Sequence, residues 1–211
     1  LEAGDVFVVS APSGSGKTTI CRMLLERVEG LRLSVSYTTR PRKIGERDGT
    51  DYFFVDGETF DTMVISGDFL EHAEVYGKRY GTARRTVERI TSSGDDVLLE
   101  IDTQGGLAVR AKMPTAILIG LFPPSWEALR GRLRGRGRDD EAEMALRLSS
   151  AGEEMRALLG YDYLVVNDDL ETAVSQVEAV VRCHRVRRER AGEKIAMILK
   201  ETGEGHGASN R

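Results

Sequence analysis

Apolar residues gather in short blocks along the chain, at Val6–Ser10, Val97–Ile101, Ala116–Phe122 and Tyr163–Val166. Each block is too short for an amphipathic helix and of the right length for a buried strand. After each, the apolar positions change to helical spacing. Ile20, Met23, Leu24 and Val28 share one face after the first block, and further helices are predicted over Gln104–Lys112, Ser125–Arg134 and Leu170–Arg190. Strands alternating with helices predict an α/β fold, a doubly wound parallel sheet with its site at the carboxyl ends of the strands.

Two stretches break the rhythm. Ser36–Thr82 holds short β-like pieces (Tyr52–Val55, Phe69–Val75), many glycines and aromatics, and one helix near Glu58–Ile65, and it reads as an inserted small mixed α+β lobe. From Arg130 to Asp140 the chain is crowded with Arg and Gly, then turns helical through Met144, Leu148 and Met155, as a charged helical cover would. The expected division is a core of residues 1–35, 83–125 and 158–201, a lobe of 36–82, a lid of 126–157 and a polar, Gly-rich tail of 202–211.

Composition narrows the setting more than the chemistry. At 211 residues, 40% hydrophobic and 30% charged, the chain is an ordinary globular one. Its net charge of −4 recruits neither nucleic acid nor an anionic membrane, so affinity for phosphate has to come from local clusters. Cys21 and Cys183 fit no metal-ligand spacing and read as reduced thiols. No apolar run approaches the roughly 18–20 residues that cross a bilayer. The first residues lack the basic-then-apolar pattern of a secretion signal, and the cytoplasm is the expected location.

The chemistry starts at Ala11-Pro12-Ser13-Gly14-Ser15-Gly16-Lys17-Thr18-Thr19, which fits the P-loop pattern with Ala in place of its first Gly. Such a match arises by chance in about one or two per cent of chains this long. Here it follows an apolar strand and opens a helix, the context the motif requires. Gly14 and Gly16 let backbone N–H groups turn toward an anion, and the helix N-terminus adds partial positive charge. Lys17 is placed for the β/γ-phosphates and the Thr18 hydroxyl for a direct bond to Mg²⁺. A nucleoside triphosphate is the implied ligand.

The lobe then carries Thr38-Thr39-Arg40-Pro41-Arg42-Lys43-Ile44-Gly45-Glu46-Arg47-Asp48-Gly49-Thr50-Asp51-Tyr52-Phe53-Phe54. Here the chain resembles the guanylate kinase family, whose signature has T-[ST]-R, a basic residue, an acid, a Gly and Y-x-[FY] in this order. The resemblance continues at Phe69–Ala73, Tyr80–Thr82, Leu99–Asp102 with Gln104 and Gly105, Arg132–Gly137 and Val166–Asp169, and covers residue 6 to about 190. It implies a P-loop kinase core, an acceptor lobe and an arginine-rich lid, with transfer of the γ-phosphoryl group of Mg·ATP to GMP.

By that resemblance, Arg40, Lys43, Tyr52 and Tyr80 hold the acceptor phosphate, cations and phenol hydroxyls suiting a dianion. Glu71 accepts hydrogen bonds from guanine's N1–H and amino group, and Ser36 and Thr82 address its other polar edge. Taken alone, Glu71 would read as a solvated strand residue and the tyrosines as aromatic packing. Lys43 stands where many relatives have Arg, which leaves Arg42 as an alternative second cation. Glu100 stands where many have Asp and is expected toward the acceptor. Asp102 is expected at the acceptor and as a partner of the metal's water. Arg132, Arg136 and Arg147 are expected to converge on the phosphates, with Arg136 also over adenine, and Asn167 to lie near the donor base. A cationic run such as Arg130–Arg138 is ordinarily a solvated face; beside a P-loop it suits charge developing on a transferring phosphoryl group. Asn167 could equally cap the following helix, and Arg182–Arg190 reads as a solvated basic face. ATP and GMP are the expected partners, without nucleic acid or membrane, and a homo-oligomer is left open. The competing readings are a non-catalytic module of the same family and a P-loop kinase for another phosphorylated acceptor. The intact Lys17, Thr18 and arginine set weigh against the first, and Glu71, Tyr80 and Thr82 against the second.

Overall fold

The structure, a computed structural model, describes residues 3–75, 77–134 and 141–204, with 141–147, 193–194 and 201–204 as backbone alone. In chain order its strands are β1 (Val6–Ser10), β2 (Leu31–Leu33), β3 (Tyr37–Thr38), β4 (Phe53–Phe54), β5 (Phe69–Val75), β6 (Lys78–Ala83), β7 (Asp96–Glu100), β8 (Ile117–Phe122) and β9 (Tyr163–Val166). The helices are α1 (Lys17–Arg27), α2 (Gly57–Ile65), α3 (Arg84–Ser92), α4 (Thr103–Lys112), α5 (Trp126–Arg134), α6 (Glu141–Leu158), α7 (Leu170–Arg185) and α8 (Arg188–Glu204).

Strands β2-β7-β1-β8-β9 form one parallel sheet with β1 at its centre. Every residue of β1 is buried, as a strand covered on both faces requires. Phe7 and Val9 face α1 and α7, packing with Ile20, Leu24, Val174, Val177 and Val181. Val6 and Val8 face the other way, into a core with Val87, Ile90, Val109 and Leu158. The neighbours of β1 lead away in opposite directions, so a crevice opens at its carboxyl end, where Ala11–Gly16 begin.

A second sheet, β4-β3-β6-β5, is built from the inserted stretch, with β6 antiparallel to both β3 and β5. Asp56 caps α2 by accepting from the Thr59 amide at 2.8 Å, and Phe60 on that helix is fully buried against Phe69.

The helix read over Leu170–Arg190 is two helices. It stops at Arg185, Val186 leaves helical geometry (φ −106°, ψ 9°), and α8 starts at Arg188. A residue remote in sequence ties the two helices together. Asp96 is fully buried and accepts from Arg185 Nε at 2.7 Å, Arg190 Nη1 at 2.6 Å and the Asp5 amide at 2.8 Å. The bend brings arginines from both helices onto one carboxylate. The basic segment is therefore not a plain solvated face: Arg185 and Arg190 anchor it, whereas Arg182 pairs with Glu178 at the surface.

Candidate active site

The P-loop joins the end of β1 to α1. Gly16 occupies the helix N-cap at φ 90°, and a Cβ there would meet Asn167 Nδ2 at 2.5 Å, so both backbone and space require glycine. Asn167 Nδ2 donates to the Ser15 carbonyl at 2.8 Å, and Arg132 Nη2 donates to the Asn167 carbonyl at 3.1 Å. Buried Asn167 thus braces the loop. The following helix is capped instead by Asp169, which accepts from the Thr172 amide at 2.9 Å. Arg136 lies outside the described residues, as does the side chain of Arg147.

Side chains at the start of α1 reach the end of β7. Lys17 Nζ donates to the Ile101 carbonyl at 2.8 Å, and Thr18 Oγ1 donates to Glu100 Oε1 at 2.5 Å. Asp102 caps α4, its Oδ1 accepting from the Gly105 amide at 2.7 Å. The carboxylate that meets the Thr18 hydroxyl is thus Glu100, while Asp102 stands on the wall beside it.

Glu71 is not solvated: on β5 it is 4% exposed, and Thr82 Oγ1 on β6 donates to its Oε1 at 2.6 Å. The facing residue on α4 is Gly105, where a Cβ would lie 2.8 Å from Glu71 Oε2. Burial pushes the Glu71 carboxyl up to about 7, a rise opposed by the Thr82 hydrogen bond and aided by the charge of Asp102. The buried carboxyl therefore binds most strongly a ligand that presents hydrogen-bond donors to it.

Tyr52 and Tyr80 stand edge to face, ring centroids 5.9 Å apart. Burial, and then the charge of Glu100, raises the Tyr52 phenol above its ordinary value, so both its proton and its oxygen serve hydrogen bonding at neutral pH. The Arg40 guanidinium lies behind, its carbon 5.2 Å from the Tyr52 ring centroid. Arg42 and Lys43 are both exposed on the loop, and neither they nor Arg40 and Thr82 are among the residues lining the cleft, Arg40 lying against Tyr52 and Thr82 against Glu71.

Ser36, Tyr52, Glu71, Tyr80, Glu100, Asp102 and Lys17 line one cleft. The whole run Ala11–Thr19 lines a second, together with Tyr52, Val75, Glu100, Asp102 and Glu154. Lys17, Tyr52, Val75, Glu100 and Asp102 belong to both, so the clefts share a wall. Glu154 on α6 was not singled out in the sequence, though it falls two helical turns after Arg147 and so on the same face. Its carboxyl is raised by burial, against the pull of Lys17. Glu46 fills the acidic position of the family signature, but nothing in the sequence alone says that its carboxylate turns back onto Arg40.

The guanylate kinase family model matches residues 4–184 of the chain. A guanylate kinase of Symbiobacterium thermophilum is 46% identical over 200 residues, covering 95% of both chains. One of Alkalilimnicola ehrlichii is 45% identical over 198 residues, covering 94% of this chain and 98% of its own. Among solved structures, the crystal structure of guanylate kinase from Anaplasma phagocytophilum superposes with a TM-score of 0.75 at 34% identity, covering 90% of each chain.

Proposed function

The chain belongs to the guanylate kinase family, enzymes that transfer a phosphoryl group from ATP to GMP, and from that premise we propose how its residues divide the work. The P-loop cleft takes the triphosphate of ATP. Its backbone N–H groups and the α1 N-terminus cradle the phosphates, and Lys17 exchanges the Ile101 carbonyl for them. The Glu71 cleft takes GMP. Glu71 accepts from guanine's N1–H and amino group, with Ser36 and Thr82 alongside, and Arg40, Tyr52 and Tyr80 hold the phosphate. Adenine lacks that donor pair and would leave a buried carboxylate unpaired.

The shared wall carries this reading. Two nucleotides in adjoining clefts share a wall of Lys17, Tyr52, Val75, Glu100 and Asp102, and their phosphates meet across it for direct transfer. The acceptor oxygen is already anionic, and transfer needs positioning and charge stabilisation rather than a general base. Arg132 adds positive charge from α5, and Arg136 and Arg147 are assigned to the same task. Asn167 supports the donor loop.

The donor set at the start of α1 fits Mg²⁺, since the Thr18 hydroxyl and the Glu100 carboxylate offer hard oxygen atoms only. Thr18 would ligate the ion, with Glu100 and Asp102 holding its water; the bound ion offsets negative charge on the donor phosphates. The cytoplasm suits these substrates, and no helix among the described residues is long and apolar enough to cross a membrane.

Stereochemistry tests the direct transfer. ATP made chiral at its γ-phosphorus should yield GDP with inverted configuration at the transferred group. Retention would demand a covalent enzyme intermediate and overturn the two-nucleotide arrangement.

A further inference from the structure

Arg40 is held before any phosphate arrives. Its Nη2 donates to Glu46 Oε1 at 2.7 Å and its Nη1 to Glu46 Oε2 at 3.0 Å, a bidentate pair on the end of the guanidinium. Nη1 also donates to the Pro41 carbonyl at 2.9 Å. Glu46 Oε2 accepts in addition from the Lys43 amide at 2.8 Å, closing the turn that its own amide makes to the Lys43 carbonyl at 3.2 Å. The side chains are 15% and 21% exposed, so the pair is partly withdrawn from solvent screening. The Arg40 hydrogen bond holds the Glu46 carboxyl below the usual carboxylate range.

The geometry leaves one fork open. A guanidinium can grip an oxyanion end-on through its two Nη atoms, or side-on through Nε and one Nη. The end-on fork is filled by Glu46, with Pro41 on the second N–H of Nη1. The Nε–H and the second N–H of Nη2 remain, on a guanidinium that lies over the Tyr52 ring. After Glu46, Tyr80 also stabilises the guanidinium, by charge and by a side-chain hydrogen bond, so the phosphate would share the open edge with the Tyr80 hydroxyl.

We propose that Glu46 is a positioning residue for the acceptor phosphate: it clamps the end-on fork of Arg40, ties it to the 40–46 turn, and presents the side-on fork to the phosphate beside Tyr52 and Tyr80. The proposal deepens the reading of Arg40 as a phosphate ligand and rests on it. The clamp also explains how an arginine on a long, exposed loop keeps a fixed orientation, since immobilising such a side chain on binding would otherwise oppose affinity.

The test uses Glu46→Gln, Glu46→Asp, Arg40→Gln and the Arg40→Gln/Glu46→Gln pair in the full chain. Steady-state kinetics, inhibition by guanosine and thermal unfolding are measured for each. Glu46→Gln keeps the size but loses one acceptor and the charge, and should raise the KM for GMP about tenfold. The kcat should stay within about threefold, with the KM for ATP and inhibition by guanosine, which has no phosphate, unchanged. Glu46→Asp should fall between the wild type and Glu46→Gln, and Glu46→Gln should add little once Arg40 is already Gln. An unchanged or lowered KM for GMP in Glu46→Gln, while Arg40→Gln raises it, overturns the clamp; a lowered value would make Glu46 a competitor of the phosphate. Parallel loss of affinity for GMP, ATP and guanosine with a collapsed melting temperature would make the role merely structural and also overturn it. An unchanged KM in Arg40→Gln would instead refute the phosphate assignment beneath the proposal.

Discussion

Replacing Glu71 by Gln perturbs recognition at one atom. Thr82 donates to Oε1 at 2.6 Å and can go on donating to an amide oxygen there, so the new NH₂ group takes the place of Oε2. In the wild type both oxygens accept, which suits guanine's N1–H and amino group. In the variant a donor faces at least one of those N–H groups. Leaving buried donors opposed and losing a charge-assisted bond should lower kcat/KM for GMP by roughly 10²-fold, about 2.7 kcal/mol of transition-state stabilisation. The KM for ATP should stay put, because Glu71 does not line the P-loop cleft.

The proton gives a second, independent readout. With its carboxyl at about 7 in the free protein, Glu71 is mostly protonated at pH 6 and mostly ionised at pH 8. GMP prefers the ionised form, so the wild-type KM for GMP should rise by up to about tenfold per unit as pH falls below 7. Glu71→Gln should lack this limb. For the unliganded fold the sign is reversed. Because the native value lies above the unfolded one of 4.5, the stabilising effect of the neutral carboxyl is complete below about 4.5 and is lost as pH rises through about 7. The melting temperature of Glu71→Gln should therefore gain on the wild type between pH 5 and pH 8. Initial rates with GMP varied at saturating ATP at pH 6, 7 and 8, alongside thermal unfolding, measure all of this. A GMP kcat/KM within threefold of wild type, with parallel pH profiles, would remove Glu71 from base recognition.

Two further outcomes are expected. Lys17→Met loses only a bond to the Ile101 carbonyl in the unliganded protein, so circular dichroism should show an intact fold while transfer falls well beyond tenfold; turnover within tenfold of wild type would contradict the donor-site role. Asp96→Ala leaves Arg185 without its carboxylate and Arg190 with Asp5 alone, and should cost about 3 kcal/mol by denaturant unfolding, with KM for both nucleotides unchanged below the transition; a loss under 1 kcal/mol would show that the anchor of α7 and α8 lies elsewhere.

What the sequence discloses follows the range of the forces involved. The β1–P-loop–α1 unit is local: a buried strand, glycines at a turn and an apolar helix face within 28 residues all point one way, and β1 and β9 fall where the pattern puts them. Strand β2 spans only Leu31–Leu33 and exists through its parallel pairing with β7, more than sixty residues on, so no local pattern announces it. Asp96 holds Arg185 and Arg190 on either side of the break at Val186 from 89 and 94 residues away, and the bracing of Ser15 by Asn167 joins positions 152 residues apart. Glu71 reads as a solvated strand residue until β6 and α4 close over it. Glu46 stands among charged neighbours, and only the turn at Lys43–Glu46 turns its carboxylate back onto Arg40.

The central claim is that a buried carboxylate in a cleft adjoining the P-loop selects the acceptor base. It is tested most directly by ADP formation from ATP with GMP, AMP, CMP and UMP as acceptors, each varied to saturation in a coupled assay. The kcat/KM for GMP should exceed that for AMP by at least about 10³-fold, since adenine leaves Glu71 without its donors. A value for AMP within tenfold of that for GMP would contradict it.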